Sequence, residues 1–248
     1  MMQHVTVTGR DGIPVVLLHG WGANLQLMQP LADRLAPLGH TVHLFDLPGF
    51  GETPPPSVAW SVPDYAQCVL EALDALGQAK FHLVGHSFGG RISLVLGAEH
   101  PERIGKIALI DSAGVPTPPN PSASARLTLY KTIRDGLYKV GAKGLADGLR
   151  GWYGQRYGSS DFNAVSGVMR ETFVKVVNQD LLPYAARIQA PTILLWGEND
   201  QDTPLWQAKK LEQTIPDAGL ITFPGAGHYS YLERPAETVR ILDHFFKH

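Results

Sequence analysis

Short apolar runs recur along the chain, separated by longer stretches in which apolar residues return every three or four positions. Pro14-Val15-Val16-Leu17-Leu18 is apolar without alternation, as expected of a strand covered on both faces in a parallel sheet. Thr41 to Phe45, Phe81 to Val84, Ile104 to Ile110, Pro191 to Trp196 and Leu220 to Phe223 read the same way. His4 to Thr8 alternates as a short first strand, closed by a turn at Gly9-Arg10-Asp11-Gly12. Helical spacing predicts helices over Leu25 to Leu38, Val62 to Leu76, from the turn at Ser87 to His100-Pro101, Leu205 to Ile215 and Ala236 to Phe246. Ser61-Val62-Pro63-Asp64 is a helix start, with an N-cap serine, an early proline and an acid in the first turn, while Gly39 and Gly77 are stops. Strands and helices in this alternation call for an α/β fold: a mostly parallel central sheet with right-handed crossovers, flanked by helices. The ligand site of such a sheet lies beyond the carboxyl ends of its strands.

After Val115 the rhythm changes. Pro116-Thr117-Pro118-Pro119-Asn120-Pro121 is a stiff linker, and no strand pattern follows until about Ala186. Helical segments fit Ser124 to Val140, Lys143 to Tyr153, Phe162 to Val177 and Leu181 to Ala186. Residues 1–115 and 187–248 are therefore expected to form the core domain and 116–186 an inserted helical subdomain. There is no internal repeat.

Composition narrows the function more than the fold. With 248 residues, 44% hydrophobic and 18% charged, the chain is that of an ordinary globular protein able to bury a sizeable core. A net charge of -2 gives no reason to expect nucleic acid as a partner. The single cysteine, Cys68, cannot form an internal disulfide and reads as a small buried helix residue. No segment approaches the ~18 apolar residues of a membrane span. The amino terminus lacks the pattern of a signal peptide, so the expected location is cytoplasmic. Charge is uneven, however. Between Val115 and Ala185 there are nine lysines and arginines against five acidic residues, although the whole chain is slightly negative. Solvated helix faces are the usual explanation; the sharper one is an anionic substrate or an acidic carrier protein.

One stretch carries a specific chemical signal. Phe81-His82-Leu83-Val84 leads into Gly85-His86-Ser87-Phe88-Gly89-Gly90 and an apolar helix, a strand–turn–helix with a serine at its tip. Glycines 85 and 89 let the strand and helix backbones pass closely. The hydroxyl then stands at a helix amino end, where free N–H groups and the helix dipole favour negative charge. That is a place to form an alkoxide and an oxyanion.

With the elements placed, the chain resembles the α/β-hydrolase superfamily over nearly its whole length, the 116–186 insertion looking like its lid or cap. The matching stretches are His19-Gly20-Trp21-Gly22, Asp46-Leu47-Pro48-Gly49-Phe50-Gly51, Gly85-His86-Ser87-Phe88-Gly89-Gly90, Trp196-Gly197-Glu198-Asn199-Asp200 and Gly225-Ala226-Gly227-His228. The superfamily's order of nucleophile, acid and histidine is met by Ser87, Asp200 and His228. A serine needs a neighbouring base, and a base needs a carboxylate to fix its tautomer and stabilise the imidazolium. Asp111 and Asp202 are rival acids, and His86 is expected to pack or hydrogen-bond beneath the turn. The resemblance implies an oxyanion hole from the backbone N–H groups of Trp21 and Phe88. Asp46 and its turn read as structural. The cap aromatics include an apolar roof over the substrate; Trp21, Tyr130, Tyr138, Trp152 and Tyr229 are the candidate substrate-contacting side chains.

The implied activity is hydrolysis of small-molecule carboxylic esters through an acyl-enzyme, with no metal or cofactor. Aspartate-nucleophile dehalogenases and epoxide hydrolases are disfavoured by Ser87. Carbon–carbon hydrolases of dienoic ring-cleavage products usually have asparagine before the serine and tryptophan after the histidine, where this chain has His86 and Tyr229. A carrier-protein methyl ester esterase shares the His19-Gly20-Trp21-Gly22-Ala23-Asn24 pattern and would suit the basic cap. Lactonase or perhydrolase chemistry uses the same triad. Outside enzymes, the alternative is a receptor that keeps the triad for ligand binding.

Overall fold

Seven strands form one sheet: β1 (His4–Val7), β2 (Val15–Leu18), β3 (Val42–Phe45), β4 (Phe81–His86), β5 (Ile104–Ile110), β6 (Thr192–Gly197) and β7 (Ala218–Phe223). Their spatial order is β1-β3-β2-β4-β5-β6-β7; β1 pairs antiparallel at the edge and every other pair is parallel. This is a computed structural model, and it describes residues 2–9, 12–118, 120–157 and 159–248. Arg10 and Asp11 of the expected first turn and Pro119 of the linker lie outside the described residues.

Successive side chains on a strand point to opposite faces, and here both faces are covered. Val16, Leu18, Leu83, Leu109, Leu194 and Trp196 join one core cluster beneath α2 (Val62–Ala75), α3 (Phe88–Glu99) and α9 (Leu205–Thr214). Val15, Leu17, Val84, Ala108, Ile110 and Leu195 join the other beneath α1 (Leu25–Leu35) and α11 (Pro235–Lys247). The unbroken apolar runs of the sequence are the consequence. Proline at position 37 cannot donate to an α-helical ladder, and the expected first helix tightens to a 3-10 turn over Ala36–Leu38. At Ser61 the capping box forms with Asp64.

Between β5 and β6 the chain forms α4 (Pro121–Lys139), α5 (Lys143–Tyr157), α6 (Ser160–Ala164), α7 (Gly167–Val177) and α8 (Leu182–Ala185). The helix expected over Phe162 to Val177 is split. Val165 and Ser166 are extended, at φ -111 and -138, and Gly167 turns left-handed at φ +54, so no continuous ladder crosses them. A further short turn, α10 (Ser230–Glu233), follows His228. Cys68 is half-buried rather than fully buried.

Among the described residues, the inserted helices are fastened to the core chiefly at α7 and just beyond it. Along α7, Thr172 Oγ1 accepts from the Trp60 N–H at 3.1 Å, and Lys175 Nζ donates to the Ala59 carbonyl at 2.7 Å. Just beyond α7, Gln179 Oε1 accepts from the Val62 N–H at 3.1 Å. Arg91 of α3 is buried and donates to the carbonyls of Val176 and Gln179. By contrast, Ala146 is the one buried side chain described in α4 and α5, and Leu129, Val140, Leu145 and Trp152 are exposed. A fully buried aliphatic side chain stabilises by about 1.5–3 kcal/mol, so the sheet and α7, not the α4–α5 hairpin, hold the fold.

Candidate active site

Parallel register levels the strand ends. Leu18 pairs with Gly85, His86 with Ile110 and Gly197 with Phe223, so the chain leaves β2, β4, β5, β6 and β7 on one edge of the sheet. Five loops meet there, carrying Gly20-Trp21, Ser87, Asp111, Asp200 and His228.

Ser87 sits between β4 and α3 at φ +50, a backbone conformation that L-residues avoid. A Cβ at Gly85 would lie 2.5 Å from the Gly89 carbonyl oxygen, and one at Gly89 would run into the Leu18 carbonyl, so both positions require glycine. His228 Nε2 lies 3.0 Å from Ser87 Oγ, and His228 Nδ1 lies 2.9 Å from Asp200 Oδ2. An ionised carboxylate only accepts, so Nδ1 carries the proton and Nε2 presents its lone pair to the serine. Asp200 is held in turn. Its Oδ1 accepts from the N–H groups of Asp202 at 2.8 Å and Thr203 at 2.9 Å, and its Oδ2 accepts from Thr203 Oγ1 at 2.6 Å. Of the three candidate acids it is Asp200 that meets the imidazole. Asp202 is exposed, and the Asp111 carboxylate is engaged with backbone N–H groups.

Burial works against the charge on both partners, yet neither titrates in that direction. For His228, burial lowers the pKa, but the hydrogen bond and charge of Asp200, with Asp202 and Asp111 behind it, raise it above the ordinary value. For Asp200, burial would raise the pKa, while hydrogen bonds from His228 and Thr203 bring it below the usual carboxylate range. Hydrogen bonding and charge together outweigh desolvation on both sides.

Two further histidines are buried and neutral. His86 Nε2 donates to the His228 backbone carbonyl at 2.7 Å, and burial lowers its pKa to about 3. It packs beneath the turn, its ring 5.0 Å from that of Tyr229. His19 Nδ1 donates to the Gly20 carbonyl at 2.7 Å and its Nε2 accepts from the Leu47 N–H at 3.1 Å; burial lowers it to about 4. Asp46 accepts from the N–H groups of Leu25 and Glu52, fixing the neighbouring loop.

The two backbone positions expected to bind an oxyanion flank the serine. Phe88 is the first residue of α3, where N–H groups have no intrahelical acceptor. Gly20 lies so close that a Cβ on it would be 3.3 Å from Ser87 Cβ, bringing the Trp21 peptide beside the hydroxyl. The Trp21 ring packs against Phe50, Phe88 and Phe173 at 4.8, 5.3 and 5.1 Å between centroids. Tyr229 is exposed beside His228.

The cap aromatics sort differently from expectation. Tyr130 stacks on Tyr153 at 4.0 Å, Tyr138 donates to Asp147 Oδ1 at 2.6 Å, and the exposed Trp152 meets the edge of Tyr157. All three have their partners inside the α4–α5 hairpin. Phe173 of α7 is the cap residue that reaches the Trp21 wall, because α7 is the anchored helix. Asp161 of α6 gave no signal in the sequence. Asp161 is exposed by surface area, yet partial desolvation and the nearby charge of Asp202 raise its pKa against the opposing charge of His228, which places α6 beside the acid loop. Asp200, Asp202 and His228 could offer three ligand atoms within 4.8 Å of one another to a cation, at the expense of the Asp200–His228 bond.

A family model described as alpha/beta hydrolase fold matches residues 13–134, and one described as TAP-like protein matches 174–248. Among curated relatives, the pimeloyl-[acyl-carrier protein] methyl ester esterase of Chromobacterium violaceum is 29% identical, covering 94% of this chain and 93% of that protein. The 2-hydroxy-6-oxo-6-phenylhexa-2,4-dienoate hydrolase of Burkholderia cepacia is 29% identical, covering 93% of this chain and 86% of that one. Among solved structures, the enol-lactonase from Burkholderia xenovorans LB400 superposes with a TM-score of 0.75 at 21% identity, covering 100% of this chain and 96% of that one.

Proposed function

The chain belongs to the α/β-hydrolase superfamily, and from that membership and the geometry at Ser87 we propose that it is a serine hydrolase cleaving carboxylic esters through an acyl-enzyme. The observation that carries this is the continuous contact Ser87 Oγ, His228 Nε2, His228 Nδ1, Asp200 Oδ2, with separations of 3.0 and 2.9 Å. Ser87 attacks the ester carbonyl while His228 Nε2 takes its proton. The N–H groups of Phe88 and Trp21 hold the oxyanion. Asp200 stabilises the imidazolium, which then protonates the leaving alcohol. Water, deprotonated by His228, attacks the acyl-enzyme and releases the acid. No step calls for a cofactor.

The substrate's apolar part lies against Trp21, Phe50 and Phe173, with α6 and α7 as the cap above them. Ser87→Ala is expected to abolish hydrolysis of a short p-nitrophenyl ester while leaving the melting curve unchanged; retained turnover overturns the assignment.

A second reading, a methyl ester carried on an acidic protein, is favoured by two observations. One relative bears that activity in its name. The cap also presents exposed basic side chains, including Arg126, Lys131, Lys139 and Arg156. The carbon–carbon hydrolase reading draws on another relative, and His86 and Tyr229 stand against it. No helix among the described residues is long and apolar enough to cross a membrane.

A further inference from the structure

Asp111 follows β5 and is completely buried. Among the described residues it and Ser87 are the two non-glycine residues at positive φ, here +44. Its carboxylate is divided between two loops. Oδ1 accepts from the N–H of Gly197 at the end of β6, 2.8 Å away, and Oδ2 from the N–H of Ser230, two residues past His228, at 3.0 Å. Its backbone carbonyl lies 3.1 Å from Thr203 Oγ1, the hydroxyl that also binds Asp200. One residue therefore touches the acid-bearing loop twice and the histidine-bearing loop once.

Given the serine-hydrolase reading on which this rests, we infer that Asp111 is a positioning residue, fixing the loops of Asp200 and His228 to one strand end and so setting the separations within the triad. The strained backbone has a reason in this account: at φ +44 the side chain reaches both loops. Without the carboxylate, the buried N–H groups of Gly197 and Ser230 lose their acceptor, which leaves each desolvated and unpaired. The loops then recover partners by moving, and a displacement of about 1 Å at a catalytic group costs on the order of a hundred-fold in rate.

Asp111 also acts on His228 at a distance. Its titratable neighbours are Asp200, His228 and Tyr231, contributed by the loops after β6 and β7 and by α10. Two N–H donors call for the ionised carboxylate. Burial opposes it and places the group at about 7. As an anion it adds to the potential that keeps the His228 pKa raised.

Asp111→Asn and Asp111→Gly test the inference, since asparagine and glycine both tolerate the left-handed backbone. Turnover of a p-nitrophenyl ester is divided by the concentration of fluorophosphonate-reactive sites, which removes unfolded protein from the comparison. Asp111→Asn is expected to lower kcat about ten-fold or more well above neutrality, with KM within about two-fold of wild type. Its acid limb of kcat/KM moves to lower pH, and Asp111→Gly loses more kcat. A wild-type kcat per reactive site in either variant, or a loss with an unmoved acid limb, overturns the inference. Turnover that survives Ser87→Ala instead removes the hydrolase reading beneath it; Ser87-dependent turnover with a wild-type Asp111→Asn removes the role of Asp111 alone.

Discussion

At the scale of single residues, the chemistry depends on which nitrogen of His228 carries the proton. Asp200 fixes that choice and supplies most of the charge that raises the histidine. Asp200→Asn keeps the shape of the carboxylate but lets the wrong tautomer form, so kcat is expected to fall by about three to four orders of magnitude. The acid limb of the residual activity moves to lower pH, because the raising charge is gone. An unshifted limb would place the raising charge elsewhere. Ser87 was legible in the sequence because its turn demands glycines at fixed offsets, and His228 because it follows the last strand directly after Gly225 and Gly227. Position after a strand end does not separate Asp111, Asp200 and Asp202, since all three share it; the superfamily's order of nucleophile, acid and histidine is what favours Asp200. Thr203 escaped notice because its contacts, to Asp200 within a tight Asx-type turn and to the distant Asp111 carbonyl, leave no pattern in the sequence.

Elements divide into those that anchor and those that hang free. Strands and core helices were legible because burial on both faces leaves apolar runs, and burial on one leaves a helical stripe. The α6–α7 break was not, because the apolar spacing continues across Val165 and Ser166 while the backbone does not. Tyr130, Tyr138 and Trp152 illustrate a related limit. Aromatic spacing marks a helix but does not distinguish a cap's own packing from a roof over the substrate. Within α5, Gly148 and Gly151 have nothing within 4 Å of where a Cβ would stand, so no packing requires them there. Each costs about 1 kcal/mol of helix stability relative to alanine. Gly148→Ala and Gly151→Ala are therefore expected to slow hydrogen exchange of α5 amides, the two together more than either alone. Faster exchange in the double variant would mean that the glycines answer a close contact.

The whole molecule combines a dry sheet with a buried, titratable edge. His19, His82 and His86 are held at about 4, 4 and 3, chiefly by burial. A folded pKa below the unfolded value contributes stability that is present above about 6.5 and lost as pH falls toward the folded value. Asp111 and His228 have the opposite sign: both are raised, so each favours the folded state at lower pH. Three buried neutral histidines outweigh them below pH 6, and the melting temperature is expected to fall steadily from about pH 6.5 to 4. A flat profile over that range would show the histidines already accommodating charge. The parallel architecture and its catalytic edge were legible at this scale because alternating strands and helices admit few topologies. Which inserted helix packs on the core was not, since it depends on the fastening of α7 through Arg91, Thr172 and Gln179, contacts between residues far apart in sequence.

Ser87 is the proposed nucleophile, and every other assigned role depends on it. The most direct test is stoichiometric labelling with a fluorophosphonate, followed by mass measurement of the modified peptide. One adduct per chain is expected, located on Ser87, with esterase activity lost in proportion to labelling and no adduct in Ser87→Ala. An adduct on another residue, or turnover persisting after Ser87 is fully labelled, would contradict it.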